Sequence, residues 1–284
     1  MRMHRFGLIA SLLIALTTWK QPAAAQTIDQ PVTFNAASYV IGRLQQRSAL
    51  ERGEMAVATP QAISGYLSKP SGDGPFAAIV YLHGCAGLSE LTRQHFARLF
   101  SGWGYVVLAV DSFGPRGLAQ ACTRPAPDRQ ADAWGALAYL SSLPYVDRTR
   151  IGVVGSSQGG MAAMRLASTH DVNIYDVPDD LSFKAAVAYY PACGVASKWL
   201  SVPTLILIGD KDDWTPAQNC QQWMSLRPDK GAPVKLEVYP GAYHSFDSPR
   251  PGRSLFGHWL QYDADATERS IAEMHDFLTV HLGR

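Results

Sequence analysis

Six short apolar runs recur along the chain, at Ala77–Leu82, Tyr105–Val110, Ile151–Val154, Ala185–Tyr190, Pro203–Ile208 and Val234–Tyr239. The first five are continuous rather than alternating, the pattern of strands buried on both faces, while Val234–Tyr239 carries Lys235 and Glu237 between its apolar residues. Between them apolar residues recur at helical spacing. Leu91, Phe96, Leu99 and Phe100 mark a helix over Leu88–Gly102, and Ala131, Trp134, Leu137, Ala138 and Leu140 one over Asp128–Leu143. Ile271, Met274, Phe277, Leu278 and Leu282 mark a last helix over Asp265–Leu282. Strands separated by helices predict an α/β fold with a mostly parallel, doubly wound sheet and right-handed crossovers.

Upstream the pattern weakens. Met55–Ala58 and Ile63–Leu67 alternate around Thr59-Pro60-Gln61, which predicts a bent antiparallel edge pair. Residues 26–52 are polar and mixed, with a short helix expected near Ala37–Gln46. The first 25 residues read as an export signal: Arg2, His4 and Arg5, then an apolar segment Phe6–Leu16, then Ala23-Ala24-Ala25 as a cleavage site. An uncleaved anchor is the alternative. Residues 26–284 would then form one domain, exported to the periplasm or secreted, with no stretch long enough for stable membrane insertion.

Composition narrows the partners. A hydrophobic share of 47% supplies a large core. Without the leader, 22 basic face 24 acidic side chains, so the charge is near −2 and nucleic acid is not an expected partner. Cys85, Cys122, Cys193 and Cys220 show no metal-ligand spacing, so no metal site is expected. In an oxidising compartment they would form two disulfides. Of the three pairings, Cys85–Cys122 and Cys193–Cys220 are favoured, because each pair lies in loops following neighbouring strands. Buried free thiols are the other reading.

The chemistry concentrates at strand ends. Ile151–Ala163 reads as strand, sharp turn and helix around Gly155-Ser156-Ser157-Gln158-Gly159, a nucleophile elbow. Glycines flank a turn too tight for side chains, and Ser157 is presented where helix N–H groups favour negative charge. His83-Gly84-Cys85-Ala86-Gly87 follows an early strand, and its Cys85 N–H, with that of Gln158, is a candidate oxyanion donor. His83 is read as bracing that loop. Gly209–Pro216 carries three acids, of which Asp212 is the candidate to orient a histidine, ahead of Asp213 and then Asp210. His244, in a glycine-bearing loop after the last strand, is the candidate base. The order Ser157, Asp212, His244 is nucleophile, acid, base. Arg116 either binds a substrate carboxylate or pairs with Asp111 to hold its loop. Tyr190, Trp214 and Phe246 are candidates to line the pocket, or else packing residues. His95, His170, His258, His275 and His281 read as solvated.

From Ile63 to the C-terminus the chain resembles the dienelactone hydrolase family of α/β-hydrolases. The likeness rests on His83-Gly84, Gly155 to Gly160, Gly209 to Pro216 and Ala242-Tyr243-His244-Ser245-Phe246. The type enzymes of that family carry a cysteine nucleophile and are cytoplasmic. Ser157 and the export signal therefore point to a broader carboxylic ester or lactone substrate. The reading implies a serine hydrolase working through an acyl-enzyme, with no cofactor and a small-molecule ester as its partner. A small-peptide peptidase or an acyltransferase would use the same residues, and a non-catalytic cell-envelope binding module would not need Ser157.

Overall fold

The computed structural model describes residues 27–54, 59, 61–168 and 174–283. The expected leader, the expected strand at 55–58 and His170 lie outside them. Eight strands form the main sheet: β1 (Thr27–Asn35), β2 (Ala62–Lys69), β3 (Phe76–Leu82), β4 (Val106–Asp111), β5 (Val146–Ser156), β6 (Ala186–Tyr189), β7 (Thr204–Gly209) and β8 (Val234–Tyr239). Their order is β1-β2-β4-β3-β5-β6-β7-β8. The pairs β1–β2 and β2–β4 are antiparallel, and all others are parallel. This is the α/β-hydrolase fold.

The apolar runs explain the centre of the sheet. Every residue of β6 and β7, and every residue of β3 after Phe76, is buried, so both faces are covered. The covering helices are α2 (Glu90–Gly102), α3 (Arg129–Ser141), α4 (Gln158–Leu166), α5 (Ala217–Ser225) and α6 (Ala264–Leu282). Ser89 caps α2, Asp128 caps α3 and Asp263 caps α6, each accepting from N–H groups of the first turn. Trp103, after α2, and His275 on α6 meet with rings 4.7 Å apart. Among the described residues no helix is long and apolar enough to cross a membrane.

The weak upstream pattern resolves differently from its reading. The outer partner of β2 is β1, within the stretch read as polar and mixed, and it pairs from Thr27↔Lys69 to Asn35↔Ala62. Pro31 removes a ladder donor, which an edge strand tolerates. The short helix, α1, runs over Arg43–Glu51 rather than 37–46. A small hairpin, β9 (Arg253–Leu255) and β10 (His258–Leu260), turns at Phe256-Gly257 between β8 and α6.

Two disulfides, Cys85–Cys122 and Cys193–Cys220, leave no free cysteine among the described residues. The first ties the loop after β3 to the segment before α3. The second ties the turn after β6 to α5. Both are bonds that an oxidising environment sustains.

Candidate active site

The sharp turn joining β5 to α4 holds Ser157 at φ 54° and ψ −116°, a strained backbone for a residue with a side chain. Its flanking glycines are required by distance. A Cβ on Gly159 would lie 2.0 Å from the Leu82 carbonyl oxygen, and one on Gly155 would lie 2.2 Å from that of Gly159. Strand and helix can therefore close only over bare backbone. The Ser157 N–H donates to the Tyr189 carbonyl at 2.9 Å, which pins the turn to β6.

His244 reaches this serine from the loop after β8. Its Nε2 is 3.0 Å from Ser157 Oγ, and its Nδ1 is 2.7 Å from Asp212 Oδ2. A carboxylate only accepts, so Nδ1 carries the proton and Nε2 is left to accept the serine hydroxyl. Asp212 and His244 are 3% and 2% exposed, so this chain of contacts is shielded from competing water. The carboxylate is fully employed. Its Oδ1 accepts from the Trp214 and Thr215 amides at 2.9 and 2.8 Å, and Thr215 Oγ1 donates to Oδ2 at 2.8 Å. Asp210 instead accepts from the Gly241 N–H, and Asp213 lies at the surface beside Trp259 and His258. Of the three acids in the loop, Asp212 alone touches His244.

Beside the serine, Gln158 opens α4, so its N–H has no partner within the helix. Cys85 lies in the facing loop, where its carbonyl accepts from the Ala121 N–H at 2.8 Å. The Gln158 side-chain amide also reaches Ala121, donating to its carbonyl at 3.2 Å. His83 is wholly buried, with Nδ1 2.7 Å from the Gly84 carbonyl. Burial, with the positive charge of Arg129, holds its pKa well below the ordinary histidine value, so the ring is neutral and braces the loop.

A cleft of about 190 Å³ opens over Ser157. Tyr190 and Trp214 line it, with rings 4.6 and 5.1 Å from that of His244. So do Leu255 and Leu260 of the hairpin, and His95, which the sequence reading left in solvent. Asp247 lines it too and accepts from the Tyr190 hydroxyl at 2.7 Å; burial raises its pKa above the usual carboxylate range.

Two expected lining residues belong elsewhere. Phe246 is fully buried among Tyr189, Tyr190 and Tyr239 and is a core residue. Arg116 does not enter the cleft. Its guanidinium grips both oxygens of the buried Asp132 at 2.8 Å, donates to the Ser112 carbonyl, and borders a separate hollow near Tyr39 and Asp128. The expected alternative partner, Asp111, instead accepts from the Phe113 and Gly114 amides. The sequence shows that Arg116 is in a strand-end loop but not which way it points. It gives no sign of Arg129 at all. That side chain is buried behind the cleft and donates to Ser112 Oγ, Gln158 Oε1 and the His83 carbonyl.

Comparison with known proteins places the chain among relatives. The sequence is 25% identical over 170 residues to the esterase FrsA of Salmonella paratyphi B, covering 59% of this chain and 40% of that protein. The chain thus spans less than half the length of the curated relatives it matches. A dienelactone hydrolase-like promiscuous phosphotriesterase from metagenomic libraries superposes with a TM-score of 0.62 at 21% identity, over 89% of this chain and all of the other. A thermophilic esterase of Thermogutta terrifontis superposes with a TM-score of 0.59 at 19% identity, over 78% and 88% of the two chains. At those identities the structural likeness establishes the fold. The family model for the dienelactone hydrolases matches residues 63–282, the elbow, the acid loop and the histidine loop together, and the chain belongs to the dienelactone hydrolase family.

Proposed function

We propose that this protein is a serine hydrolase of small carboxylic esters or lactones, with Ser157 as nucleophile, His244 as general base and Asp212 as its orienting acid. The observation that carries the proposal is the unbroken contact line from Asp212 through His244 to Ser157, at 2.7 and 3.0 Å, on a strained turn at the helix start.

In this reading His244 takes the hydroxyl proton as Ser157 attacks the ester carbonyl, and Asp212 stabilises the imidazolium that forms. The Cys85 and Gln158 amides receive the oxyanion. His244 returns the proton to the departing alcohol. Water, activated by the same imidazole, then cleaves the acyl-enzyme. No step calls for a cofactor. The relatives support this choice of chemistry, FrsA being named an esterase and the Thermogutta esterase having been solved with propionate bound. The small cleft favours short acyl groups. The disulfides support the further inference that the protein works outside the cytoplasm, after export.

The test is covalent labelling with a fluorophosphonate followed by peptide mapping, beside a chain-length series of chromogenic esters. The label is expected on Ser157, to be lost in His244→Ala, with acetyl to butyryl esters turned over fastest. Unlabelled Ser157 in a folded protein would exclude the proposal and favour a binding module.

A further inference from the structure

Arg129 stands at the first position of α3, where a cation meets the positive end of the helix dipole. Its side chain is nevertheless buried. Nε donates to Ser112 Oγ at 2.9 Å, Nη1 to Gln158 Oε1 at 3.1 Å and Nη2 to the His83 carbonyl at 3.0 Å. All three acceptors are neutral. Asp132, the nearest acid on the same helix, has both oxygens held by Arg116. Burial lowers the Arg129 pKa to about 10, which still leaves it charged at neutral pH. A charge kept in this setting costs stability that an apolar side chain packed on the neighbouring Phe113 ring would not. Packing alone therefore does not account for it.

Its acceptors do. The His83 carbonyl begins the peptide that leads into Gly84-Cys85, and Gln158 is the residue after the nucleophile. One guanidinium thus joins the two segments that carry the candidate oxyanion donors. From the other side, the Cys85–Cys122 disulfide and Ala121 close the frame, since Ala121 donates to the Cys85 carbonyl and accepts from Gln158 Nε2. The Gln158 carboxamide is held at both ends, its oxygen by Arg129 and its nitrogen by Ala121.

We propose that Arg129 is the positioning residue of the oxyanion hole, fixing the separation of the Cys85 and Gln158 amides and setting a positive charge behind them. It does not line the cleft and so acts through these donors rather than on the substrate. Preorganised donors matter because they must already sit at hydrogen-bonding distance from an oxygen whose charge exists only in the transition state. The inference rests on the ester-hydrolase reading of Ser157.

The test compares Arg129→Met and Arg129→Lys in the full chain with wild type, measuring kcat and KM on a short chromogenic ester and affinity for phenylboronic acid, which mimics the tetrahedral state. Arg129→Met is expected to lower kcat about 100-fold. KM should stay within about threefold, and boronate affinity should fall in step with kcat/KM. Arg129→Lys should recover part of the loss. If Arg129→Met does not fold, Gln158→Met removes the acceptor instead and is expected to lower kcat with the same sparing of KM. A folded Arg129→Met with a lower Tm but wild-type kcat and boronate affinity overturns the inference and leaves the ester reading intact. A wild-type protein that neither hydrolyses esters nor labels at Ser157 removes both.

Discussion

Cys85 is disulfide-bonded to Cys122, and the same Cys85 lines the cleft that opens over Ser157. Its carbonyl is also tied to Ala121, which in turn is tied to Gln158. A covalent link between residues 37 positions apart therefore fixes a loop whose proposed job is to hold one amide still.

Removing that link should affect stability and rate together. Replacing Cys85 and Cys122 with Ala is expected to cost about 2–4 kcal/mol and to lower kcat about tenfold, by loosening one oxyanion donor. Replacing Cys193 and Cys220 should cost comparable stability with kcat nearly unchanged, because that bridge ties a turn to α5 outside the cleft lining. Urea unfolding and ester kinetics on the two double variants decide the matter. Equal kinetic effects from both bridges would remove the special role of Cys85.

The acid loop offers a sharper contrast. Asp212→Asn keeps the shape but reverses the proton demand on His244 Nδ1, and kcat is expected to fall about 10³- to 10⁴-fold. Asp213→Asn should stay within about threefold, since Asp213 faces Trp259 and His258 at the surface. Steady-state kinetics of the pair at one pH provides the check; the reverse ranking would transfer the role to Asp213.

These contrasts follow the line between what the chain spells out and what it hides. The central parallel strands are legible because burial on both faces demands uninterrupted apolar runs, and the elbow because Gly155 and Gly159 have no room for a Cβ. β1 is illegible because an edge strand needs no apolar run, and its Thr27–Asn35 sequence includes Pro31 and Asp29. The direction of a long side chain is hidden as well. Arg116 ends the short turn after β4 and Arg129 opens α3, and sequence alone assigns neither the first to Asp132 nor the second to Gln158. Phe246 adjoins His244 closely enough in sequence to resemble a pocket residue, yet two steps along the loop turn it into the core.

His83 should make stability depend on pH. Its folded-state pKa lies well below the unfolded value near 6.5, so the native state binds fewer protons than the unfolded chain. Its contribution is complete above pH 6.5 and is lost as pH falls below it, by at most about 1.4 kcal/mol per pH unit. His83→Asn, which cannot titrate, is expected to flatten the decline of Tm between about pH 7 and pH 5. Thermal melts of both proteins across that range test this, and parallel declines would mean that other groups set the acid limit.

Arg116 supplies the last contrast, because its position separates a structural ion pair from substrate recognition. Both Asp132 oxygens accept from Arg116, and the Asp132 side chain has no exposure to water. Arg116→Met leaves that carboxylate buried without its hydrogen-bonded cation, an expected cost of about 3–5 kcal/mol. The figure should fall toward the lower end, because the charge of Arg129 is close by. Arg116→Met combined with Asp132→Leu removes both charges and should recover more than half of the loss, the signature of coupling within a pair. Activity should respond differently. With no reach into the cleft, Arg116→Met should change kcat/KM for an acidic ester and its neutral counterpart by the same factor. A selective loss on the acidic ester would require the guanidinium to leave Asp132 and enter the cleft, a move that breaks two charge-assisted hydrogen bonds and strands a buried carboxylate.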